Sequence, residues 1–156
     1  MIFNIFFWGL ILLALGCVLA ISRADFRRRI IPDVYLFPLL LIGLCLVVFF
    51  PYPISVADAV VGAVLGYVLS MGVGLAFEYR MRRRGDMEFP PIGMGDIKLM
   101  AVGGLWLGTT GLSIALIIAG VVGGLWAYKK RQKYIPFAPF FFIGGFLSFV
   151  LCRFLI

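Results

Sequence analysis

The chain has 156 residues and a net charge of +7; 63% of it is hydrophobic and only 13% charged. That is room for one domain, with too little polar surface to keep such a domain in water. With no histidine, and with Cys17, Cys45 and Cys152 each alone in an apolar run, no soft-ligand metal set and no cofactor is expected.

In chain order, the first apolar run, Ile2–Ser22, is long enough for a true span, and no small-residue cleavage site follows it. The polar stretch "RADFRRRIIPD" leads to a second run, Val34–Phe50, closed by the turn "PYPISVAD". A third run covers Ala59–Glu78 and is followed by "YRMRRRGDMEFPPIGMG". A shorter fourth, Asp96–Gly108, turns at "TTG" into a fifth, Leu112–Tyr128. The loop "KKRQKY" then leads to a sixth, Ile135–Ile156. Only helices fit runs of this length in lipid, because each backbone polar group must find its partner within the segment. The expected fold is all-α: six transmembrane helices forming a single membrane-embedded domain over 1–156.

Arg23, Arg27, Arg28 and Arg29 lie in the first loop, Arg80, Arg82, Arg83 and Arg84 in the third, and Lys129, Lys130, Arg131 and Lys133 in the fifth. That is twelve of the fourteen basic residues, all in alternate loops; Lys98 and Arg153 are the exceptions. The positive-inside rule makes that side cytoplasmic and puts both termini outside. The basic excess is then a mark of topology, and no nucleic-acid partner is expected. Gly62/Gly66, Gly104/Gly108 and Gly120/Gly124 are small-xxx-small pairs, read as packing seams on the third, fourth and fifth helices.

Of the seven acids, Asp58 reads as the N-cap of the third helix and Asp33 as a cap of the second. Glu78 ends the third span among arginines and suits an ion pair, and Asp86 and Glu88 fall in a polar loop. Asp25 and Asp96 differ. The topology sets both at cytoplasmic helix ends, Asp25 in the loop after the first span, at the same membrane level. An ionisable group there needs a partner or a water-filled cavity. Gly93 and Gly95 remove side chains around Asp96, allow positive φ and admit a peptide. Asp96 also faces the positive end of its helix dipole. Two carboxylates holding one proton are the equipment of an aspartic protease.

Three stretches together resemble the type IV prepilin peptidases, membrane aspartic proteases of the Gly-x-Gly-Asp class. They are "DFRRRIIPD" from Asp25, "GMGDIKLMAVGGLWLG" from Gly93 and "IPFAPFFFIGG" from Ile135. The resemblance implies Asp25 and Asp96 as the catalytic pair, Gly93 and Gly95 as active-site backbone, and Pro32 and Asp33 as support for the second helix. Lys98 matches the motif's lysine; by its chemistry it either neutralises a nearby carboxylate or snorkels to headgroups. Ala138 stands where the family usually has glycine, and "EFPP" differs from the larger members. Those members carry paired cysteines near the N-terminus, absent here. The resemblance is therefore to short, peptidase-only Flp/Tad-type or preflagellin peptidases, and a methyltransferase role is not expected.

What this implies is removal of the leader from a prepilin or pseudopilin precursor at the inner face of the plasma membrane, within the lipid bilayer. The loop Arg80–Pro91 is a candidate gate. One rival is a small transporter or pilus-assembly component using Asp25 and Asp96 for ions or protons. A presenilin-type protease is less apt, since Asp25 follows Ala24 and is expected outside a span.

Overall fold

The computed structural model describes residues 2–84, 92–131 and 136–155. They form α1 (Ile2–Arg28), α2 (Asp33–Phe49), α3 (Val56–Arg84), α4 (Met94–Lys130) and α5 (Phe137–Leu155). Three of these, over Asn4–Arg28, Val56–Arg83 and Met94–Lys130, are long and apolar enough to cross a membrane. Large apolar side chains such as Trp8, Leu12, Phe37, Val64 and Phe146 point outward. A surface this apolar suits lipid rather than water.

Two helices run further than their apolar runs. α1 continues through Arg28, so Asp25 lies on a helix, not in a loop. α3 continues through the arginines to Arg84, where Glu78 pairs with Arg82 at 2.8 Å. Helical backbone satisfies its own hydrogen bonds whether its side chains meet lipid or water, so it need not stop where the apolar pattern does. Of the proposed gate, Arg80–Arg84 is therefore helical; residues 85–91, with Asp86 and Glu88, lie outside the described residues.

α4 has 37 residues, but Gly108 within it is not helical (φ 68°, ψ −174°). The contacts of α5 show what this break does. Phe141 packs at Gly103 and Leu107 at Gly145, so α5 runs parallel to the first part of α4. The Ser148 hydroxyl donates to Gly111 O at 2.8 Å, Gly144 packs at Ala115 and Phe140 at Trp126, so α5 runs antiparallel to the second. Both hold only if the chain reverses at Gly108. The positive φ there is one that glycine adopts without strain.

Asp58 secures that reversal from another helix. It does not cap its own: the Ser55 hydroxyl takes that place and accepts the Asp58 N–H at 3.1 Å. The Asp58 Oδ1 instead accepts the Thr109 N–H at 3.2 Å and the Thr109 hydroxyl at 2.7 Å, capping the second part of α4. Asp58→Ala is expected to cost about 1–2 kcal/mol, measured by thermal unfolding in detergent. Asp58→Asn, which still accepts, should cost less; equal losses would mean that capping is not the role.

α3 lies antiparallel to the first part of α4, with Gly62 against Gly104 and Gly108, and Gly66 against Met100. These are the expected seams. Gly120 and Gly124 are not a seam among the described residues, where a Cβ added at either meets nothing within 4 Å. The core joins Ile21 of α1, Leu46 of α2, Leu99 of α4 and Phe141 of α5, all essentially without exposure. Near the reversal, the Tyr52 hydroxyl donates to Trp106 O at 3.0 Å, and the indole N–H of Trp106 donates to Leu39 O at 3.0 Å.

Candidate active site

The end of the bundle opposite the reversal gathers the three sequence motifs. Asp25 lies on the last turns of α1, Asp96 in the first turn of α4, and Ala138 in the first turn of α5. α1 stops one turn after Asp25. There Arg29 takes the left-handed conformation (φ 54°), and its N–H returns to Asp25 O at 2.9 Å. The chain then leaves the helix through Ile31 and Pro32. The Pro32 carbonyl accepts the first amides of α2, from Tyr35 at 3.2 Å and Leu36 at 3.3 Å.

Asp25 is buried, with 5% of its surface exposed. Its Oδ2 accepts the Ala138 N–H at 2.8 Å. A helix leaves its first amides without intrahelical partners and carries positive charge there. A carboxylate against the start of α5 meets both demands, and the charge of Arg29 also reaches it. Asp96 is partly buried and close enough to Asp25 for their charges to interact.

The two glycines of the second motif have different reasons. Gly93 has φ −68° and ψ 144°, a conformation open to any residue, so positive φ is not what requires glycine there. Its missing side chain instead leaves room beside Asp96, whose Oδ2 would lie 3.3 Å from an added Cβ. At Gly95 an added Cβ would lie 2.9 Å from the Cβ of Ile31. Glycine there lets the first motif pack directly against the second.

Lys98 and Asp33 meet at 2.6 Å. Lys98 thus neutralises a carboxylate, though not one of the central pair. Asp33 is drawn into this ion pair instead of capping α2: Pro32 holds the N-cap position and no side chain caps it. Both partners are more than a third exposed, so the pair contributes little to stability; it links α2 to α4 two residues beyond Asp96. Sequence reasoning missed one participant. Ala138 was visible only as a departure from a motif, although its backbone amide, not its side chain, makes the contact.

Comparisons with known proteins bear on the family of the chain. The model of the Type IV leader peptidase family matches residues 10–128. The prepilin leader peptidase/N-methyltransferase of Aeromonas salmonicida (strain A449) is 31% identical over 150 residues, 90% of this chain and 49% of the relative. The protein of the same name from Burkholderia pseudomallei (strain 1026b) is 35% identical over 137 residues, 83% of this chain and 42% of the relative. That of Xanthomonas campestris pv. campestris is 32% identical over 145 residues, 88% and 48% respectively. The chain spans about half the length of these curated relatives. No solved structure gives a significant match.

Proposed function

Because the chain belongs to the type IV leader peptidase family, we propose that it is an aspartic endopeptidase that removes the leader from prepilin-like precursors, with Asp25 and Asp96 as its catalytic pair. The observation that carries this reading is that two acids from different helices and different motifs sit at one end of the bundle, where Ile31 of the first motif packs directly on Gly95 beside Asp96. Two neighbouring carboxyl groups disfavour double ionisation. One then acts as base on a water molecule; the other, protonated, donates to the carbonyl oxygen of the scissile bond. Water adds to the carbonyl carbon, and the tetrahedral intermediate collapses as the leaving amine takes a proton. No acyl-enzyme forms.

The reversal at Gly108 supports six membrane crossings within a single membrane-embedded domain. Read as one helix, the 37 residues of α4 would extend about 55 Å, against a hydrocarbon core of roughly 30 Å. With six crossings, the basic segments after α1, after α3 and at the end of α4 share one face, and that face holds Asp25 and Asp96. In an inner membrane it is the cytoplasmic face, and both termini lie outside. A precursor whose short polar leader precedes a hydrophobic helix presents its scissile bond at that level.

Co-expression with a candidate precursor tests the proposal. The expected result is a gel shift to the leaderless form that depends on this chain. If no precursor with that leader-helix design is cut, the reading fails.

A further inference from the structure

The third motif, "IPFAPFF", has a pattern that the acid pair alone does not explain. Pro136 immediately precedes α5, and Pro139 sits in its first turn. Proline carries no N–H. The start of a helix normally presents a cluster of amides without partners; here the prolines remove two, leaving those of Phe137 and Ala138. The Ala138 amide is the one that reaches Asp25. Around it the structure is closed: Ala138 has no exposed surface, and Pro136 and Pro139 are buried.

We propose that the Ala138 N–H is a positioning group for the reaction, holding Oδ2 of Asp25 so that its second oxygen is the one presented to water. This rests on the functional reading above. The terminal torsion of an aspartate has a broad, weakly defined preference, so its carboxylate rotates unless something holds it. A side-chain donor would move with the group it holds. A backbone amide fixed in a helix start does not move, and the helix dipole adds to its pull. The motif thereby converts the placement of α5 into the orientation of a carboxylate on α1. It also explains why alanine serves at 138: the contact comes from the backbone, and the side chain need only be small enough for a closed site.

The test removes the amide without changing shape. In the full chain, Ala138 is replaced by L-lactate through nonsense suppression, turning the amide into an ester. A second protein carries the same change at Phe137, using L-phenyllactate. Cleavage kinetics are measured on a synthetic precursor with a short polar leader and a hydrophobic helix, beside thermal unfolding in detergent. The ester at 138 is expected to lower kcat by roughly 10- to 100-fold, the worth of one hydrogen bond to a charged group, with KM unchanged. The ester at 137 should stay near the wild-type rate, and Ala138→Gly, which keeps the N–H, should retain most activity. A wild-type rate for the 138 ester, or equal losses at 137 and 138, overturns the inference while leaving the peptidase reading intact. A wild-type chain that cuts no such precursor overturns the peptidase reading itself.

Discussion

Asp96→Asn and Asp25→Asn are each expected to cut leader removal by about 10²- to 10⁴-fold, the usual contribution of a positioned acid or base, while both variants still insert in the membrane. Asparagine keeps the size and shape of aspartate but cannot exchange the proton. At position 25 the amide oxygen of asparagine can still accept the Ala138 N–H, which in the native chain is 2.8 Å from Oδ2. The start of α5 then stays held, and the loss reports chemistry rather than unfolding. Asp→Glu at either position should also fail, because an added methylene moves the reacting oxygen by more than such a site tolerates. The measurement is conversion of precursor to mature protein on a gel, with membrane-fraction yield as the control. A transporter would behave otherwise: Asp→Glu would be tolerated and the Asn variants would abolish an ion-dependent flux. Cleavage that persists in either Asn variant would remove the dyad from the mechanism.

The second large effect is on stability, at a single glycine. Gly104→Ala is expected to destabilise the protein by about 1–3 kcal/mol, the range for overpacking a close-packed site, and to lower cleavage with it. A Cβ at 104 would lie 2.8 Å from Ala63 N, and closer still to the backbone of Gly62. Backbone cannot rotate away as a side chain can, so α3 and α4 must separate. Asp96 opens the same helix segment, and the separation moves it. Gly120→Ala makes the opposite prediction. Among the described residues nothing lies within 4 Å of a Cβ there, and alanine is the better helix former by about 1 kcal/mol, so this variant should be neutral or slightly stabilising. Thermal unfolding of both in the same detergent decides the matter; equal shifts would show that the two glycines do not differ as the packing indicates.

That contrast marks where the sequence stops being informative. Gly104/Gly108 and Gly120/Gly124 are the same pattern in the same kind of helix, yet only the first pair meets a neighbouring helix. The motif records that a close approach is possible; which helix arrives is not written locally. Lys98 was likewise open between a carboxylate and the headgroups until Asp33, 65 residues away, came within 2.6 Å.

The apolar runs by themselves determined that the chain is helical, because in lipid a backbone must satisfy its own polar groups. Their expected level at the helix ends, with the family resemblance of the surrounding motifs, singled out Asp25 and Asp96, since acids at apolar helix ends need a reason to be there. The tertiary structure alone decided the rest. Asp58 caps a helix 51 residues away, and the amide of Ala138 holds Asp25 across 113 residues. Helix formation is a sum of local terms, legible along the chain. A hydrogen bond between helices depends on which ends the packed bundle brings within 3 Å, and no local pattern encodes that.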